Sequence, residues 1–136
     1  MDREHCNEIQ QWLLKSRRDL EAARLLFKSQ ISLLDVVVYH CQQSAEKALK
    51  AYLTYQNVIV KKTHNLIVLL ELCRSFEADF EDLRNFAETL TPYATEFRYP
   101  GDLIEPERGD AEEAIKMAAT VLNFVTHKLP DEVSSV

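Results

Sequence analysis

Residues 32–56 read S-L-L-D-V-V-V-Y-H-C-Q-Q-S-A-E-K-A-L-K-A-Y-L-T-Y-Q, and their periodicity decides the fold. At about 100° per residue, Val37, Val38, Cys41, Ala45, Ala48, Leu49 and Tyr52 share one arc of about a third of the circle. Tyr39, His40, Gln43, Glu46, Lys47 and Lys50 fall on the opposite arc. The small side chains of Ser44, Ala45, Ala48 and Ala51 allow a neighbouring helix to come close. This is the pattern of a central bundle helix with one polar face of mixed chemistry.

The flanking segments are helical too. In residues 7–29, Ile9, Trp12, Leu13, Leu20, Ala23 and Phe27 recur at helical spacing. A third helix is predicted from Thr63, as N-cap, to about Arg74, burying Leu66, Ile67, Leu69, Leu70 and Cys73. A fourth follows Asp79 and keeps helical spacing through Leu83, Phe86, Ala87, Leu90, Ala94 and Phe97. Pro92, with no N–H to donate, should kink or interrupt it. A loop over residues 98–109 leads to Asp110 and Glu113, a capping-box-like start. The last helix runs through Ala111, Ala114, Ile115, Ala118, Val121, Leu122 and Val125 and stops before Pro130. The expectation is an all-α, up-and-down bundle of four main helices plus a fifth. It forms one domain over residues 1–136, with its core at about 7–128.

Composition supports this. Two glycines and four prolines are too few for an all-β fold, which needs a turn every 8–12 residues or so. Gly101 and Gly109 form neither glycine-loop phosphate motif. Five of the six breakers lie between Pro92 and Gly109. The net charge of −6 disfavours a general nucleic-acid coat. It is unevenly spread, with +3 over residues 1–62 and −9 over residues 63–136. Cys6, Cys41 and Cys73 are far apart, and the latter two sit among apolar residues, as buried thiols do in a reducing cytosol. No signal core follows Met1, and no apolar run reaches the ~20 residues that span a bilayer. The expected location is the cytoplasm, with no membrane contact.

Three constellations are candidates for chemistry. Gln43, Lys47 and Lys50 follow one another at spacings of four and three, with His40 one turn earlier. Two ammonium groups and an amide on one stripe suit a phosphate and a base; the competing reading is a solvated face with a Glu46–Lys50 i,i+4 pair. Thr63-His64-Asn65-Leu66 puts an imidazole in a first helical turn, facing free N–H groups and the positive end of the dipole; the alternative is a surface histidine beside a cap. Tyr93 to Pro100 reads Y-A-T-E-F-R-Y-P. There Pro100 pushes Tyr99 into an extended conformation, and Arg98 with Tyr99 suits phosphate gripping and base stacking. Arg98 capping helix carbonyls is the other reading. No His has a Glu three residues before it, and no H-x-x-x-H occurs, so neither a metal nor another cofactor is expected.

These residues resemble the HEPN family (higher eukaryotes and prokaryotes nucleotide-binding). Residues 38–53, V-Y-H-C-Q-Q-S-A-E-K-A-L-K-A-Y-L, look like its central helix. Thr63-His64-Asn65-Leu66 resembles its T-H-x-L start of the third helix. Phe97-Arg98-Tyr99-Pro100 is similar to its A-R-Y-P motif, departing at Phe97. Trp12-Leu13, Asp19-Leu20 and Ala22-Ala23 resemble its first helix. The resemblance spans about residues 9–126.

The resemblance implies a small helical bundle that dimerises, often paired with a minimal nucleotidyltransferase as toxin and antitoxin. By position it implies nucleotide- or RNA-phosphate-binding roles for Gln43, Lys47, Lys50, His64, Arg98 and Tyr99. Many members are metal-independent endoribonucleases with an Arg-x4–6-His motif. The chain departs from that motif, because the next His after Arg98 is His127. No catalytic residue is therefore assigned. The expected function is a binding module for nucleotide or RNA. The alternatives are a ribonuclease using His64 or His40 with Arg98, or a purely structural interaction module.

Overall fold

The structure is a computed structural model, and it describes residues 1–60, 62–101 and 105–134. Its helices are α1 (Arg3–Phe27), α2 (Leu34–Tyr55), α3 (Leu66–Arg74), α4 (Arg84–Leu90), α5 (Arg108–Lys128) and α6 (Asp131–Ser134). Two 3-10 turns, Ala78–Leu83 and Thr91–Ala94, flank α4. No strand occurs among the described residues. The all-α bundle expected from the periodicity is present. Asp102, Leu103 and Ile104 of the expected loop lie outside the described residues.

The central helix packs on α1, α5 and α3, with α1 making the most extensive face. Small side chains let α1 and α2 close together. Ser16 Oγ donates to the Ser44 carbonyl at 2.7 Å, and Ser44 Oγ returns a bond to the Ser16 carbonyl at 2.9 Å. Tyr52 and Phe80 are fully buried with ring centroids 4.6 Å apart, and Phe124 of α5 meets Phe80 edge-on at 5.0 Å. These aromatic pairs fasten the Ala78–Leu83 turn and α5 to the end of α2. Burial pushes the Cys41 thiol up to about 12 and raises the Cys73 thiol as well. All three cysteines are free.

Several boundaries differ from the sequence reading, each for a local reason. The N-cap of α3 is Asn65, whose Oδ1 accepts from the Ile67 and Val68 N–H groups; Thr63 instead accepts from the Asn65 N–H. His64 therefore precedes the helix and does not lie in its first turn. Glu77, not Asp79, is the N-cap of the turn leading to α4. Pro92 acts as expected: α4 ends at Leu90, and the chain continues as a 3-10 turn with Pro92 at its start. The box opening α5 is Glu107 with Asp110, whose Oδ2 accepts from the Glu107 N–H at 3.3 Å. After Pro130 the chain forms α6, a short helix the periodicity did not reveal.

Candidate functional site

The polar arc of α2 is not a solvated face. Gln42, Gln43, Glu46 and Lys50 are buried, because the segment leading to α3 and the first half of α1 lie against them. Glu46 is the hub. Its Oε1 accepts from His64 Nδ1 at 2.7 Å, and its Oε2 accepts from Lys50 Nζ at 2.9 Å. Gln42 Nε2 donates to the same carboxylate at 3.3 Å and to the His64 carbonyl at 2.7 Å. Gln43 donates to Gln42 Oε1 at 2.8 Å.

The hub fixes His64 from behind. An ionised carboxylate only accepts, so Nδ1 carries the hydrogen and Nε2 is turned away from Glu46. The His64 side chain is 65% exposed while that of Glu46 is 5% exposed. Asn65 caps α3 just beyond it, and the Leu66 N–H donates to Thr91 Oγ1 at 3.1 Å. Both bonds hold the 63–66 backbone in place. The dipole of α3, expected to act on His64 within its first turn, is replaced by a buried carboxylate as the group that orients the ring.

A second carboxylate repeats the arrangement one α2 turn away. Asp19 of α1 accepts from His40 Nδ1 at 2.8 Å and from Lys47 Nζ at 2.6 Å. The Asp19 side chain is 12% exposed, against 28% for His40 and 24% for Lys47. Each acid is thus more deeply buried than the imidazole it holds. Beside His40, the Arg98 guanidinium lies 3.6 Å from the centre of the Tyr39 ring, a cation–π contact. Phe97 has φ 69°, in the left-handed region that a bulky side chain rarely adopts. That residue follows the 3-10 segment and sends Arg98 back over α2. Phe97 packs near Tyr93, with ring centroids 6.3 Å apart.

The six residues expected at the site are thus distributed unequally. Lys47, His64, Arg98 and Gln43 are arrayed around the stretch of α2 from Tyr39 to Glu46, which rises about 10 Å. Tyr99 is exposed beside Arg98. Lys50 is different: its ammonium is tied to Glu46 and lies 5.6 Å from the Trp12 ring, facing α1. Sequence reasoning missed Asp19, Gln42 and Glu46 as organisers. Glu46 carried a signal, being an acid one turn from a lysine on a stripe otherwise rich in donors. Asp19 carried none, because its partners lie on another helix. No helix among the described residues is long and apolar enough to cross a membrane.

Comparison with known proteins agrees with this architecture. A Methanocaldococcus jannaschii protein named "Putative toxin MJ1304" is 29% identical over 135 residues, covering 89% of this chain and 88% of the relative. The crystal structure of TT1696 from Thermus thermophilus superposes with a TM-score of 0.74 at 28% identity, covering 90% of this chain and 99% of that one. That of ST0689, described as an archaeal HEPN homologue, gives 0.67 at 28% identity, covering 94% and 98%. The family model of the HEPN domain matches residues 9–129, and the chain belongs to the HEPN family.

Proposed function

We propose that the chain is a HEPN binding module that holds nucleotide or RNA phosphate on the face formed by His64, Lys47, His40 and Arg98, with Gln43 buried beneath it. One observation carries this reading. Two largely buried carboxylates, Asp19 and Glu46, each hold a histidine and a lysine from behind. The acids orient His40, Lys47 and His64, whose outer edges remain available to an anion, the imidazole Nε2 atoms as donors in the doubly protonated ring. An imidazole edge, an ammonium and a planar guanidinium together suit phosphate oxygens. Tyr99, exposed beside Arg98, offers a ring for a further base of an RNA. Lys50 serves by bracing Glu46 rather than by meeting the phosphate directly.

The module works as a homodimer within a toxin–antitoxin-like pair, alongside a minimal nucleotidyltransferase. The relative named as a toxin supports the pairing, and co-purification with a neighbouring nucleotidyltransferase, with sedimentation of each, tests it. Binding is tested by calorimetry with ATP, GTP and short RNA. His64→Ala and Arg98→Ala should each weaken binding about tenfold or more, the size of one charge-assisted hydrogen bond. Absence of saturable binding to all three ligands overturns the reading.

A ribonuclease is the second reading, favoured by the His64–Glu46 pair. With Nδ1 tied to a buried carboxylate, Nε2 is set to accept a proton from an attacking 2′-hydroxyl. Cleavage of mixed RNA in EDTA, lost in both His64→Ala and Arg98→Ala, supports it. No cleavage by the parent protein removes it.

A further inference from the structure

A groove of about 540 Å³ opens where the start of α1 meets the end of α2 and the segment after it. Its size falls within the range of about 300–1,000 Å³ usual for small-molecule sites. Trp12, Lys50, Val58, Ile59, Val60 and Lys62 line it. The floor is a half-buried indole with the Lys50 ammonium over it, 5.6 Å from the ring centre, and that ammonium already has Glu46 as its counter-charge. A floor of π surface, aliphatic walls and a neutralised cation favours a flat uncharged ring over a free anion. The rim is different. Lys62 is exposed there, and the exposed imidazole of His64 follows two residues later. Glu46 joins the two places directly, with one oxygen on His64 and the other on Lys50.

We propose that this groove is the base subsite of the phosphate face: a nucleobase stacks on Trp12 between Val58 and Val60, and its phosphate meets Lys62 and His64. This rests on the phosphate-binding reading of His64. The far end of the groove adds selectivity. His5 Nε2 is engaged with the Thr54 carbonyl at 2.6 Å, while Glu8 presents a carboxylate acceptor. An acceptor there favours bases with an exocyclic amino group, so AMP should bind better than UMP.

Trp12 is the single tryptophan of the chain, so its emission reports on the groove alone. The intact protein is titrated with AMP, UMP and ribose 5-phosphate, following heat and tryptophan emission together. AMP should bind and quench Trp12. Ribose 5-phosphate should bind about tenfold more weakly and leave the emission unchanged, because it lacks the stacked base. Ile59 is 91% exposed, so Ile59→Asp should fold normally and lower AMP affinity severalfold. AMP heat with unchanged Trp12 emission, or equal affinity for AMP and ribose 5-phosphate, overturns the base subsite and leaves the phosphate face standing. AMP quenching with an affinity indifferent to His64→Ala and Arg98→Ala overturns the phosphate face, and the joint site with it. Neither heat nor quenching with any of the three overturns both.

Discussion

The carboxylate–cation cluster around Glu46 and the one around Arg84 make the same kind of bond with different consequences. Around Glu46 the acid is enclosed by α2, α1 and the 62–64 segment. Around Arg84 the groups lie on the outside. Arg84 pairs with Glu71 and with Glu81, 2.6 Å from Nε to Oε2, and Arg74 meets Glu81 at 3.0 Å. The Arg84 hydrogen bonds hold the Glu81 carboxyl below the usual carboxylate range. Water screens the exterior cluster, so it ties α3 to α4 without deciding whether they pack. The interior cluster has no such relief. Each of its buried members has given up water and depends on the others. Position, not pairing chemistry, decides which cluster can orient a functional side chain.

The largest effect should come from Glu46→Ala, which leaves the Lys50 ammonium buried without its partner. A loss of about 3–5 kcal/mol is expected from urea unfolding. The double variant Glu46→Leu with Lys50→Met should recover most of that stability and still lose ligand binding, because His64 is no longer held. If the double variant stays as unstable as the single one, the cluster is a packing feature and not an electrostatic one.

Asp19→Ala should cost less, about 1–3 kcal/mol, since His40 and Lys47 both retain some contact with water. It should also weaken nucleotide binding by releasing both side chains from the face. Retained affinity would restrict the site to the His64 end of α2.

Burial without pairing gives a third, pH-dependent case. Burial raises the Cys41 thiol from its ordinary value near 9 to about 12. A group raised on folding contributes stability that is complete below the unfolded value and is lost as pH rises through the folded one. The urea midpoint should therefore fall between about pH 9 and 12, and Cys41→Ala should make that fall shallower. An identical slope in the variant would assign the alkaline loss to other groups, Cys73 first and then Tyr52, both of which burial also raises.

The smallest effect belongs to the outer cluster. Arg84→Ala should leave the urea midpoint unresolved from that of the parent, in low and high salt alike. A clear loss would mean that the exposed network braces α4, and the contrast between the two clusters would fail.

Much of the fold was legible because helical burial leaves a local trace. The apolar arc from Val37 to Tyr52 and the spacing in α1 and α5 follow from 3.6 residues per turn, whatever the helices pack against. Pro92 ended α4 for a reason contained in its own ring. The caps were harder. Thr63, Asn65, Asp79 and Glu77 are all competent or nearly so, and the choice among them depends on where the neighbouring helix lets the chain enter.

Local periodicity is enough to specify an all-helical chain with α2 at its centre, and residue type is enough to mark His64, Arg98 and the α2 stripe as side chains with chemistry to offer. Which of them face outward depends on contacts between segments far apart in the chain. Periodicity assigns a side chain to an arc, but it says nothing about what a distant segment lays over that arc. The chain around His64 and the Asp19 turn of α1 cover the polar side of α2. That cover turns Glu46 and Lys50 from surface charges into a buried brace and leaves His64 and Arg98 at the surface.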